Sequence, residues 1–138
     1  MIVAGIGCRR GVSTEAILAL LVEAGSRLVK LEGDKEKPQA DKETIAALAV
    51  PAFRHGEPGI AEAATRLDLL PILWVEREAL KGEQGRCLTR SARAEAEVGL
   101  SCVAEAAALS AAGEGSRLIL PRIAGGGVTC ALAERRSK

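Results

Sequence analysis

Residues 2–15 read Ile2-Val3-Ala4-Gly5-Ile6-Gly7-Cys8-Arg9-Arg10-Gly11-Val12-Ser13-Thr14-Glu15. Ile2 to Ile6 is a short apolar run, and Gly5, Gly7 and Gly11 punctuate its end, so the stretch predicts a buried strand that delivers the chain into a tight loop. Ser13 is placed to cap a helix, and Glu15 in the first turn suits the positive end of the helix dipole. Ile17, Leu20, Leu21 and Ala24 follow at helical spacing, with Gly25 as the expected stop. Strand, glycine loop and helix in this order open an α/β fold.

Outward from this unit, the charged stretch from Glu32 to Glu43 has no apolar face and is expected to be a surface loop or frayed turn. Thr44 to Val50 reads as a second strand, Pro51 to Gly59 as a polar loop, and Ile60 to Leu67 as a helix. Leu70 to Val75 is a third strand, Glu76 to Leu80 a helical turn, and Gly82 to Ala96 a polar connection. Val98 to Ala112 is rich in alanine and predicts a small-sided helix with Ser101 able to cap it and Gly113 able to end it. Arg117 to Leu120 and Val128 to Ala133 are the last two strands, joined by a glycine-rich turn over Pro121 to Gly127. A short loop makes those two antiparallel neighbours, whereas helical crossovers make the earlier strands parallel. The expected fold is a three-layer α/β domain, spanning residues 1–138. Its five-stranded sheet is mixed and mainly parallel, with helices on both faces and a C-terminal antiparallel hairpin.

The composition sets limits on function. With 138 residues, 19 Lys plus Arg and 18 Asp plus Glu, one compact core is expected. The formal charge of +1 argues against a general nucleic-acid binder, which needs a surplus of basic residues on one face. Phe53 and Trp74 stand without any Tyr, so stacking platforms for single-stranded bases cannot be assembled. The core must then be close-packed Ala, Val, Leu and Ile, which favours helices lying tight on a sheet. Cys8, Cys87, Cys102 and Cys130 are widely spaced, with no C-x-x-C and no nearby His, so no metal site is expected. The apolar run from Met1 to Ile6 is too short for the middle of a secretory signal, and no stretch approaches a membrane span. A cytoplasmic protein without a membrane role is expected, its cysteines free or chemically active and not bridged.

Three groups could carry chemistry. In the first loop, Gly7, Cys8, Arg9, Arg10, Gly11 and Ser13 combine close backbone approach, a helix start and two guanidiniums, which suits a carboxylate or phosphate. The alternative is a tight turn with two solvated arginines. The G-x-G-x-x-x-G spacing departs from the dinucleotide fingerprint and no Walker lysine follows. Cys8, near a helix start and two arginines, is a conceivable nucleophile, or a small thiol fitted into a turn. The second group is Arg54, His55 and Glu57. His55 is the chain's one imidazole, and Glu57, ahead of Pro58, would either cap a helix or serve as a catalytic carboxylate. The third is Glu105 with Arg122 and Thr129. Glu105 is flanked by alanines and is expected on the one wet stripe of its helix, the alternative being burial against a partner.

Taken together, four motifs resemble the CobE/CbiG C-terminal family of cobalamin biosynthesis proteins. They are Gly5-Ile6-Gly7-Cys8-Arg9-Arg10-Gly11, Glu57-Pro58-Gly59, Val98 to Leu109, and Val128-Thr129-Cys130-Ala131-Leu132-Ala133. The likeness spans nearly the whole chain. Where the family pattern runs roughly K-A-D-E-P-G, this chain has Arg54-His55-Gly56-Glu57-Pro58-Gly59, so a positive charge is kept and one acidic residue is absent. The family's lysine after the fourth strand appears as Arg122, which keeps an anion contact without an amine nucleophile. The resemblance implies a protein of vitamin B12 assembly that binds a precorrin or corrin intermediate, with other enzymes of that pathway as partners and no further cofactor. Such ligands bristle with acetate and propionate arms, which arginines and helix-end N–H groups around an apolar floor would hold. The alternative it implies is a hydrolase that opens a ring lactone of a precorrin, as in the longer CbiG relatives, with Glu57 or His55 as general base and Arg54 stabilising negative charge. A phosphate- or nucleotide-binding module is a third reading.

Overall fold

The computed structural model describes residues 1–31 and 45–135. The elements run β1 (Ile2–Cys8), α1 (Thr14–Leu31), β2 (Ile45–Pro51), α2 (Pro58–Arg66), β3 (Ile72–Val75), α3 (Arg77–Gly82), α4 (Ala92–Val98), α5 (Ala104–Ala112), β4 (Arg117–Gly125) and β5 (Val128–Glu134), with 3-10 turns at Ala52–Arg54 and Gln84–Arg86. The strand order is β3-β2-β1-β5-β4. β1 is parallel to β2 and β2 to β3, while β5 runs antiparallel to both β1 and β4. Only β5 is reversed, so the sheet is mixed but mainly parallel, as the crossovers demanded.

Each face of the sheet has its own core. Ile2, Ala4 and Ile6 alternate onto one face, where they meet Ile17, Leu20, Leu21 and Ala24 of α1 and Ile60, Ala63 and Ala64 of α2. Val3, Ala49 and Ala133 point to the other face and meet Ala106, Ala107, Ala108, Leu109 and Ala112 of α5. This second interface explains the alanine-rich stretch. A Cβ on Gly5 would fall 2.7 Å from Ala108 N and 2.9 Å from Ala108 Cβ, so α5 rests on the bare backbone of β1. A core with almost no rings closes because the layers approach so nearly.

Several sequence expectations are corrected. Gly25 does not stop α1, which continues to Leu31; the residue keeps helical backbone there instead of the left-handed conformation of a stop. Ser101 is not a cap, since α5 starts three residues later behind Val103. The Gly82–Ala96 connection holds the end of α3, a 3-10 turn and most of α4. The glycine-rich turn shrinks to Gly126 and Gly127, at φ 63° and 84°, because β4 runs on through Pro121 to Gly125. β4 lies at the sheet edge, and its register with β5 shifts between Leu120 and Ile123, where proline's missing N–H is tolerated. Cys87 and Cys102 are joined in a disulfide with Cα atoms 6.5 Å apart, whereas Cys8 and Cys130 are free. The 3-10 turn and the turn before α5 bring two cysteines together that no spacing motif linked. The Glu32–Glu43 stretch lies outside the described residues.

Candidate functional site

The strand order reverses beside β1: the chain builds outward to β2 and β3 on one side and returns to β5 and β4 on the other. α1 leaves on one face of the sheet and α5 covers the opposite one. Loops therefore diverge past the carboxyl end of β1, and such a reversal leaves a crevice there. A cavity of about 470 Å³ occupies this place, within the usual span for small-molecule sites.

β1 supplies Gly7 and Cys8 to the cavity, its following loop Arg9, the 3-10 turn after β2 Arg54, and the β4–β5 hairpin Arg122 and Thr129. These six of the sequence candidates converge. Arg10, Gly11, Ser13, His55, Glu57 and Glu105 are not among the residues lining the cavity. Arg9 is held through its backbone N–H, which donates to Gly127 O at 3.2 Å. Arg54 Nε donates to Cys8 O at 2.7 Å, and its guanidinium lies 5.2 Å from the centroid of the Phe53 ring. Thr129 Oγ1 donates to Gly7 O at 3.4 Å, and a Cβ on Gly7 would come within 2.6 Å of that hydroxyl, so glycine is required where strand and hairpin meet.

The candidates outside the cavity hold its frame. Ser13 Oγ accepts from Ala16 N at 3.1 Å and caps α1 as expected. Glu57 stands at the N-cap of α2, yet Oε1 accepts instead from Gly11 N at 2.8 Å, clasping the first loop. Gly59 lets α2 come close, since a Cβ there would sit 2.6 Å from Val12 O. His55 packs against Trp74 with ring centroids 4.8 Å apart. Glu105 is not on a wet stripe: at 1% exposure it is the buried hub of the second core face. Oε1 accepts from Leu88 N at 2.7 Å and Thr89 N at 3.0 Å, and Oε2 accepts from Thr89 Oγ1 at 3.1 Å and Arg122 N at 2.9 Å. Four donors make the burial of this carboxylate tolerable.

Sequence reasoning missed α4, which forms one wall of the cavity through Ser91, Arg93, Ala94, Glu97 and Val98. Its signal was present. Ser91 Oγ accepts from Ala94 N, Gly99 closes the helix at φ 80°, and the residues between are Ala, Arg and Glu followed by Val98. Arg93 Nε lies 3.4 Å from Glu97 Oε2. The wall residues thus carry four guanidiniums (Arg9, Arg54, Arg93, Arg122) against the one carboxylate of Glu97, over Ala94, Val98, Val103, Ala124 and Val128. The surplus favours an anion.

Cys8 borders the same cavity, and burial pushes its thiol up to about 11, an effect that Arg54 only partly offsets and Glu57 reinforces. It faces the ligand space as a neutral thiol near neutral pH. Cys87, Cys102 and Glu105 place their ligand-type atoms within 4.8 Å of one another. In this structure the two sulfurs are bonded to each other and the carboxylate oxygens are taken by the four donors above.

Fold and cavity define a class: an α/β domain that presents a cationic pocket at the reversal of its strand order. The chain belongs to the cobalamin synthesis G C-terminus family, whose model matches residues 2–133. The crystal structure of CobE, a protein from the cobalamin (vitamin B12) biosynthetic pathway, superposes with a TM-score of 0.78 at 34% identity, over 100% of this chain and 92% of that one. The cobalamin biosynthesis protein chiG from Agrobacterium tumefaciens superposes with a TM-score of 0.67 at 34% identity, over 99% of this chain and 100% of that one. No curated protein matches by sequence. The protein is a cobalamin biosynthesis protein of the CobE/CbiG type. No described helix is long and apolar enough to cross a membrane.

Proposed function

We propose that the protein binds a precorrin or corrin intermediate, gripping carboxylate arms of the ring with Arg9, Arg54, Arg93 and Arg122. The observation that carries this reading is the charge of the cavity, four guanidiniums against one carboxylate over an apolar floor of valine and alanine. An acid-fringed macrocycle has the matching character, with apolar ring faces and anionic arms that guanidinium forks can hold in pairs. Membership in a cobalamin synthesis family supports a ligand of this class. Binding is favoured over lactone hydrolysis by the places of the acid–base candidates. Glu57 is engaged with Gly11 N and His55 packs on Trp74, and neither lines the cavity. A bound intermediate would be handed to other enzymes of the pathway.

Spectrophotometric titration with cobyrinic acid, a corrin with free carboxylates, tests the reading. Arg9→Ala and Arg54→Ala should each weaken binding by roughly tenfold, the scale of one charged hydrogen bond. Arg10→Ala, outside the cavity, should leave it unchanged. Absence of binding by the unaltered protein, or equal losses from all three substitutions, would overturn it.

A further inference from the structure

We infer that the Cys87–Cys102 pair is a thiol–disulfide control on the cavity: the crosslink holds α4 in place as a wall, and its reduction loosens that wall and weakens ligand binding. The inference rests on the reading of the cavity as a ligand site. Its structural basis is separate. The two cysteines stand 15 residues apart and close a loop that contains α4, so the segment that lends Ser91, Arg93, Ala94 and Glu97 to the cavity lies between the two ends of this tether. The base of the loop is built around the bond. Ser91 N donates to Ser101 O at 2.7 Å, and Gln84 Nε2 donates to Cys102 O at 2.9 Å. Arg90 reaches both Ser101 Oγ and Gln84 O at 2.9 Å. Of α4 only Val98 packs, half-buried, on the second core, and Arg77 Nη1 donates to Val98 O at 2.5 Å. No residue of the helix is fully buried, so its N-terminal turn, with Arg93 and Ala94, is positioned by these loop anchors.

Glu105 links the bond to the opposite wall. Its Oε1 takes the N–H groups of Leu88 and Thr89, the two residues after Cys87, and its Oε2 takes the N–H of Arg122. Cys102 Sγ lies 4.0 Å from Oε1. As a disulfide sulfur it has no proton to give; as a thiol it becomes a third donor competing for an oxygen already shared by two. Two thiols also need a wider separation than the roughly 2 Å of a bonded pair. Both changes push the Leu88–Thr89 segment off its carboxylate. The chemistry balances with an external dithiol. One thiolate attacks a sulfur of the pair and releases the other, and the second thiolate displaces the mixed disulfide. The reagent ends oxidised, and Cys87 and Cys102 end as thiols, having gained two electrons and two protons.

The test compares the whole protein before and after dithiothreitol. Alkylation under denaturing conditions should count two thiols, those of Cys8 and Cys130, rising to all four on reduction. Amide hydrogen exchange over residues 88–103 should then quicken about tenfold while β1 and β5 stay protected. Affinity for cobyrinic acid should fall by about fivefold or more, the lower range of ordinary coupling between sites. Oxidised glutathione should restore both, and Cys87→Ser with Cys102→Ser should fix the loosened state with or without reductant. If that double variant does not fold by circular dichroism, the chemical arms on the unaltered chain decide. Unchanged exchange on reduction overturns the inference, as do four thiols that an oxidant cannot pair. Faster exchange with unchanged affinity overturns the coupling but leaves the binding site standing. Absence of binding in both states removes the proposed ligand instead, and the exchange result alone then judges the tether.

Discussion

Glu105 shows how a single carboxylate can organise two distant parts of the chain. Its side chain leaves α5 and serves Leu88, Thr89 and Arg122 together. Removing it would leave part-buried donors without their acceptor, each costing up to about 1–3 kcal/mol where water cannot replace it. Glu105→Ala is expected to lower the unfolding free energy by about 3–5 kcal/mol, read from urea denaturation, because a buried charged hub is lost along with its volume. Its neighbours in sequence, Ala104 and Ala106, gave no hint of this. An acidic residue among alanines suits a wet stripe as well as a hub, and only the approach of residues 88–89 and 122 decides. Glu57 was more legible: its place before Pro58-Gly59 marked a helix start, although its partner proved to be Gly11 N across the loop.

Among elements, the first strand–loop–helix unit could be read from sequence because alternation, glycines and the Ser13 cap all agreed. α4 was announced only at its ends, by Ser91 and Gly99, since its seven residues give no apolar periodicity and none of them is fully buried. The contact between β1 and α5 was half visible. Alanines predicted close packing, but that Gly5 is the point of closest approach needed the register. Gly5→Ala is expected to destabilise by at least about 2–3 kcal/mol, since the new methyl meets the backbone of α5 and cannot be relieved by a rotamer change. Thermal unfolding of the variant checks this. Gly25→Ala, with nothing within 4 Å, should instead be neutral or stabilising within the helix.

For the molecule as a whole, the mixed sheet with helices on both faces followed from crossover lengths and periodicity, and the rim where the candidate cavity lies followed from strand direction. The single core expected proved to be two, one on each face of the sheet. The crosslink did not follow, because it depends on which loops meet. Protons bound by the free cysteines bear on global stability. Burial raises Cys8 to about 11 and Cys130 to about 12 from 9.0. Below pH 9 both are neutral folded or unfolded. Above it the unfolded chain loses these protons while the folded one keeps them, so folding binds more protons and stability must fall as pH rises from 9 toward 11 and 12. Urea midpoints measured across that range should decline, and less so once Cys130 is replaced by Ala.

The near absence of rings has a practical side. Trp74 is the only indole in the chain, and it lies against His55, the residue that follows Arg54. Intrinsic emission therefore comes from one place, next to a cavity arginine, and any rearrangement of that segment on loading would be heard without a dye and without interference from other fluorophores.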